Sequence, residues 1–219
     1  MQSLIPASVC LLLAATVLAQ KPHPCKSPPL LVGRVSLVYP KGQLFVFERF
    51  SYDAFGQRVR VRLGGVDHNQ TFHKDYLLLY REGLVYEISY RNHTCSKMAL
   101  EIPFQPMEIP HDATFQAQVI IGSSSAPGEG LLVNNFIGDF PHSEGKYFLT
   151  FTEFGCIPIT SLTYSATAGY FLASYFDIVI GIEDPEEFIP PDFCDTSKPV
   201  EDGEPVTDLF EALLQKNNQ

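Results

Sequence analysis

An all-β protein built from antiparallel sheets is what this sequence predicts, on three observations. Apolar residues alternate with a period of two, short polar turns fall at hairpin spacing, and no convincing helix separates one strand candidate from the next. The clearest alternation is Gln57-Arg58-Val59-Arg60-Val61-Arg62-Leu63. Val59, Val61 and Leu63 fall on one face and three arginines on the other, which predicts one buried and one solvated face.

Taken in chain order, residues 44–52 form the first strand candidate and reach 57–63 across Asp53-Ala54-Phe55-Gly56, a turn whose glycine suits a left-handed conformation. Residues 76–80 and 84–90 flank Arg81-Glu82-Gly83, a second hairpin signal. Further candidates are 115–121, 131–137, 147–154, 160–166 and 170–182, for about ten strands in all. The last of them is apolar on both faces along much of its length, as expected of a strand pressed between layers. One helix is expected, at 206–216: Thr207 caps it, Asp208 lies in its first turn, Lys216 near its end, and Leu209, Phe210, Leu213 and Leu214 share one side.

The N-terminus sets the compartment. An apolar core over 11–19, too short to span a bilayer, ends in Val17 and Ala19 at the −3 and −1 positions of a signal peptide, so cleavage is expected before Gln20. Lys21-Pro22-His23-Pro24 would stop any helix there. Removal of 1–19 takes Cys10 with it and leaves Cys25, Cys95, Cys156 and Cys194. In an oxidising compartment, four cysteines without Cys-x-x-Cys spacing predict two bridges rather than a metal site, and three pairings are open. Two sequons, at Asn69 and Asn92, lie in polar stretches where a glycan points into solvent. No other stretch is apolar for the roughly 20 residues that a spanning helix needs. The expected organisation is a signal peptide at 1–19, one β domain at 20–197 and an acidic tail at 198–219.

The net charge of −10 is concentrated at the C-terminal end, where eleven acids from Glu183 onward face only Lys198 and Lys216. No basic face is visible for a nucleic acid. The tail reads either as a solvated segment or as a weak calcium sink through hard carboxylate oxygens. No Asp-x-Asp-x-Asp-Gly loop exists, so a calcium site would have to be assembled from separate loops. His68 and His73, near Asp67 and Asp75, do not come together at strand or helix spacing and read as a solvated loop. No Gly-x-Ser-x-Gly elbow, His-Glu-x-x-His or phosphate-cradling loop is present, so no enzyme is expected.

Seventeen Phe and ten Tyr without a Trp make the interior strongly aromatic. Either this is the core of an ordinary β protein, or curved sheets leave an aromatic-lined cavity for a lipid-like ligand. Strand patterning nominates Phe45, Phe47, Tyr86, Phe148, Phe171 and Phe176 for the walls of such a cavity.

Several segments resemble the ependymin family: Pro24-Cys25, Phe50-Ser51-Tyr52-Asp53, 82–88, Cys95-Ser96-Lys97, 107–114, Ile121-Gly122-Ser123, Gly155-Cys156-Ile157-Pro158 and 187–194. They run in order over essentially the whole mature chain. The resemblance implies bridges Cys25 to Cys156 and Cys95 to Cys194, and two stacked, curved antiparallel sheets around a hydrophobic pocket, similar to bacterial lipoprotein carriers. It further implies a homodimer, calcium binding, an extracellular-matrix or adhesion role in nervous tissue, and, on a related branch, lysosomal proteins that bind anionic lipids. This chain lacks the extra cysteine pair of that branch, with Phe72 in the neighbourhood where one is expected, which favours an extracellular over a lysosomal location. Two functional classes follow: a secreted glycoprotein that binds a hydrophobic ligand, and an adhesion factor that acts through its surface and calcium.

Overall fold

The computed structural model describes residues 21–39, 44–67, 70–140, 145–165 and 169–195. Eleven antiparallel strands are formed: β1 (Leu30–Tyr39), β2 (Leu44–Asp53), β3 (Arg58–Asp67), β4 (Gln70–Leu79), β5 (Leu84–Ser89), β6 (Thr94–Ala99), β7 (Thr114–Gly122), β8 (Gly130–Asp139), β9 (Lys146–Thr152), β10 (Pro158–Ser165) and β11 (Gly169–Ile180). Their order is β6-β5-β4-β3-β2-β1-β11-β10-β9-β8-β7, a single curved sheet in which the β1–β11 ladder joins two meanders. The all-β antiparallel class is as expected. The two layers are halves of one hydrogen-bonded ladder.

That strand order dictates the next feature. β6 and β7 are consecutive in sequence but occupy the two edges of the sheet, so residues 100–113 must travel across its whole width. They do so against one face, here termed the crossover face. Leu100 and Ile102 pack on Val46, Val61 and Leu78; Phe104 and Met107 on Leu31, Phe50 and Tyr52; Ile109 on Phe136 and Phe151. Phe104 stacks on Tyr52 at 5.8 Å and meets Tyr80 edge-on at 5.2 Å, while the Met107 N–H donates to the Tyr52 hydroxyl at 3.0 Å. The N-terminal segment ties the crossover down. The Ile109 N–H donates to the Cys25 carbonyl, the Ser27 N–H to the Met107 carbonyl, both at 2.9 Å, and Cys25 is bridged to Cys156.

The alternation in β3 places Val59, Val61 and Leu63 on the crossover face as expected, but the arginine face is only partly solvated. Residues 184–195 fold over it in two 3₁₀ turns, Pro185–Phe188 and Asp192–Cys194, and Cys194 is bridged to Cys95 on β6. Arg60 is only 4% exposed there. Local patterning cannot show this cover, because Glu187, which pairs with Arg62, lies 125 residues away, although Asp75, the partner of Arg60, is only 15 away.

The first hairpin also differs in detail. Gln57, at φ 53°, takes the left-handed position, not Gly56. Glycine at 56 leaves room for the Asp53–Arg58 pair, since a Cβ there would lie 2.4 Å from Arg58 Nε and 2.5 Å from the Asp53 carboxylate and would push that pair aside. In the second hairpin Gly83 does adopt a positive φ, 63°. Strands β1 and β6 go beyond the candidates read from sequence. The helix expected at 206–216, the signal peptide at 1–19, the tail at 198–219, His68 and the sequon asparagine Asn69 lie outside the described residues.

Candidate functional site

A cavity of about 160 Å³ lies on the crossover face where the central strands converge. Its wall takes Val35 and Leu37 from β1, Glu48 and Phe50 from β2, Val59 and Val61 from β3, Tyr76 and Leu78 from β4, Tyr175 from β11 and Met107 from the crossover. These positions follow from register. Val35 pairs with Glu48 on one side and Tyr175 on the other, and Val61 pairs with Tyr76, so the inward-facing residues of five strands converge. Volume is left because β-branched and aliphatic side chains line the walls and the roof is an irregular strap rather than a second sheet.

One carboxyl faces this apolar wall. Glu48 is 7% exposed, and its Oε1 is buried without a hydrogen-bond partner. Burial pushes its pKa up to about 8, so the carboxyl is protonated at neutral pH. Burial, with Glu48 adding, pushes the Tyr175 hydroxyl up to about 12. The Tyr76 phenol, itself buried without a hydrogen-bond partner, is likewise raised, by burial and then by the charge of Glu87 across the β4–β5 pair.

None of the six side chains nominated from strand patterning lines the cavity. Phe171 shares the crossover face but stacks on Tyr39 at 4.3 Å. Phe45 and Phe47 fall on the opposite face, 46% and 49% exposed, with Phe176 at 5.6 Å from Phe47. Phe148 is exposed on that same face. Tyr86 packs with Leu77, Leu79, Ile88 and Phe188 beneath the 3₁₀ turns. On β2 the difference has a physical cause. Both parities of β2 are apolar, so composition favours Phe45 and Phe47, while the pairing of Glu48 with Leu63 turns Val46, Glu48 and Phe50 inward instead. The register with β3, whose parity is unambiguous, was the signal that could have found Glu48.

The opposite face holds a charge network. Arg60 makes a bidentate pair with Asp75, Nε to Oδ1 at 3.0 Å and Nη2 to Oδ2 at 2.8 Å, and donates to the Tyr90 hydroxyl and the Glu187 carbonyl. Burial opposes the Arg60 charge, but Asp75 more than offsets it and holds the guanidinium protonated well above its usual range. Glu187 accepts from Ser51 and from Arg62 Nη1. Although burial opposes ionisation, Ser51, Arg62 and Arg49 hold its carboxyl below the ordinary range. These contacts clamp residues 184–189 to the sheet.

Asn92 is exposed in the β5–β6 turn, accessible to a glycan. Among the described residues no group of three or more His, Cys, Asp and Glu is placed to hold a metal ion, and no helix is long and apolar enough to cross a membrane. His73 is exposed on β4, where it pairs with Gly64.

The ependymin family model matches residues 68–194. Ependymin-2 of Carassius auratus is 34% identical over 173 residues, 79% of this chain and 80% of that protein. Ependymin-1 of Oncorhynchus mykiss is 32% identical over 191 residues, 86% of each chain. Among solved structures, an uncharacterized conserved protein from Thermus thermophilus matches with a TM-score of 0.48 at 10% identity, covering 85% of this chain and 96% of that one. MucB matches with a TM-score of 0.39 at 12% identity, covering 85% and 62%. Both scores lie below 0.5, too low to carry an argument.

Proposed function

The chain belongs to the ependymin family, and on that premise we propose that it is a secreted, non-enzymatic glycoprotein that holds a small hydrophobic ligand in the cavity on its crossover face. The observation that carries this reading is the cavity itself: mostly apolar walls drawn from five strands and from Met107 of the crossover, with a mouth partly open to solvent. Close-packed interiors rarely leave such a space unfilled. The two disulfides are consistent with an extracellular location, and the exposed Asn92 sequon supports glycosylation. Calcium enters the proposal through the carboxylates of the acidic tail, which lies outside the described residues.

Native mass spectrometry of the deglycosylated protein, with and without calcium, followed by organic extraction, tests this. A hydrophobic molecule released on denaturation is the expected result. An apo mass that responds only to calcium would overturn the carrier reading.

A second reading has its own support. On the face opposite the cavity, the register aligns Phe45, Val38, Leu172, Leu162, Phe148 and Ile137 in one row across six strands. Phe45, Phe148 and Ile137 are exposed. Such an apolar row marks a contact surface, which fits a homodimer or adhesion to the extracellular matrix. Light scattering on Phe45→Glu, compared with the unmodified protein, tests it: an unchanged dimer would remove this face from the interface.

A further inference from the structure

Glu48 poses a problem that packing alone does not solve. A buried acid with an unpartnered oxygen costs stability, and a glutamine or methionine would fit the same strand position without an ionisable group. The groups around it do not neutralise it. Val35 and Leu63 flank it on β1 and β3. β11 brings the Tyr175 phenol, β4 brings Tyr76, which is aligned with Glu87, and the crossover brings Met107. Lys74 follows Leu63 in the same row, but its Nζ lies 3.7 Å from Glu87 Oε1 and 5.9 Å from the centre of the Tyr76 ring. No lysine, arginine or histidine stands among the residues that line the cavity.

We infer that Glu48 recognises the polar end of the ligand, donating a hydrogen bond from its carboxyl to an uncharged acceptor, the carbonyl of an ester, ketone or amide, on an otherwise apolar molecule. This rests on the proposal that the cavity carries a ligand. Charge and solvation select among the alternatives. An ammonium head requires Glu48 to ionise and leaves an ion pair in an apolar wall, where desolvation of two charges opposes the attraction. A carboxylate head brings an anion into a cavity without a cation to receive it. A plain hydrocarbon leaves the carboxyl unsatisfied. A carbonyl satisfies the acid O–H without burying a charge. The volume, about 160 Å³, is close to the roughly 150 Å³ of an apolar cavity that takes benzene, so it receives the polar end and first methylenes of a chain whose remainder extends through the open mouth. Because burial keeps Glu48 protonated to about pH 8, the donor is present at neutral pH and is lost in alkali.

Isothermal titration of the full secreted chain with methyl octanoate, octanoate and octylamine, at about pH 6.5 and about pH 9.5, tests the inference. Methyl octanoate is expected to bind tightest, with affinity about tenfold lower at the higher pH. Glu48→Met should lose about tenfold at the lower pH, whereas Glu48→Gln, whose amide N–H donates at every pH, should keep the affinity and lose the pH step. Equal binding of methyl octanoate to the unmodified chain and Glu48→Met overturns the role of Glu48 and leaves the carrier reading standing; so does octylamine binding tightest. Failure of all three probes, with no co-purifying molecule, overturns the carrier reading and the Glu48 inference with it.

Discussion

On the arginine face of the sheet, buried Asp75 and half-buried Glu187 lie beside Arg60 and Arg62, whereas on the crossover face no cation is among the described residues that line the cavity of buried Glu48. Glu48 and Asp75 lie on β2 and β4, either side of β3, and Glu187 on the 3₁₀ turn laid over that sheet, yet burial drives Glu48 towards its neutral form while Glu187 stays ionised. The difference teaches that burial alone does not set the charge of a carboxyl here; the hydrogen-bond donors that the tertiary structure brings to it do. It also separates two uses of polarity. The paired face fastens the C-terminal turns to the sheet. The unpaired face keeps a hydrogen-bonding group without a protein partner.

The largest expected effect breaks the paired side. Arg60→Ala leaves Asp75 buried without its bidentate partner and should cost about 3–5 kcal/mol in urea denaturation. A loss below about 1 kcal/mol would show that water reaches the pair. Next is the unpaired side. The folded-state pKa of Glu48 is raised, so its contribution to stability is fully present below the unfolded value of 4.5 and is lost as the pH rises towards about 8. Replacing it with the non-ionising Glu48→Gln should therefore raise stability by about 3 kcal/mol at neutral pH, with little difference at about pH 4. A constant difference across a pH series would contradict a protonated Glu48.

The sign reverses for Glu187, whose folded-state pKa is lowered. Its contribution is present above the unfolded value and lost as the pH falls through the folded one. Glu187→Gln should cost about 1 kcal/mol at neutral pH and progressively less in acid, read as the shift in denaturation midpoint. The smallest effect is assigned to the exposed pair of Lys146 and Asp139, 2.6 Å apart but both 72% exposed. Lys146→Ala should change stability by less than about 0.5 kcal/mol, and a larger loss would mean that solvent-exposed pairs also hold this sheet.

Much of the fold was legible because β structure writes its period locally. The β3 alternation assigned its own faces, and Arg81-Glu82-Gly83 marked a turn that indeed closes β4 on β5 with a left-handed glycine. The expected site was less legible. Phe45 and Phe47 were stronger apolar signals than Val46 and Phe50, and only pairing with β3 decides which parity of β2 faces inward. Strand β1 was obscured by its nearly continuous apolar character, as in a strand covered on both faces. The bridges could not be chosen from spacing, since the partners are separated by 131 and 99 residues.

By itself the sequence determined the strand period, the principal turns, the four widely spaced cysteines from Cys25 to Cys194, the Asn92 sequon and the acidic C-terminal end, because each is read from the residues themselves or from residues close together in the chain. Only the tertiary structure decided that β6 and β7 occupy opposite edges, that residues 100–113 must therefore cross the sheet, that Glu187 comes to Arg62, and that no cation is among the described residues lining the Glu48 cavity. Those outcomes depend on which distant strands share a ladder, and a buried carboxyl takes its charge from the neighbours that the ladder supplies.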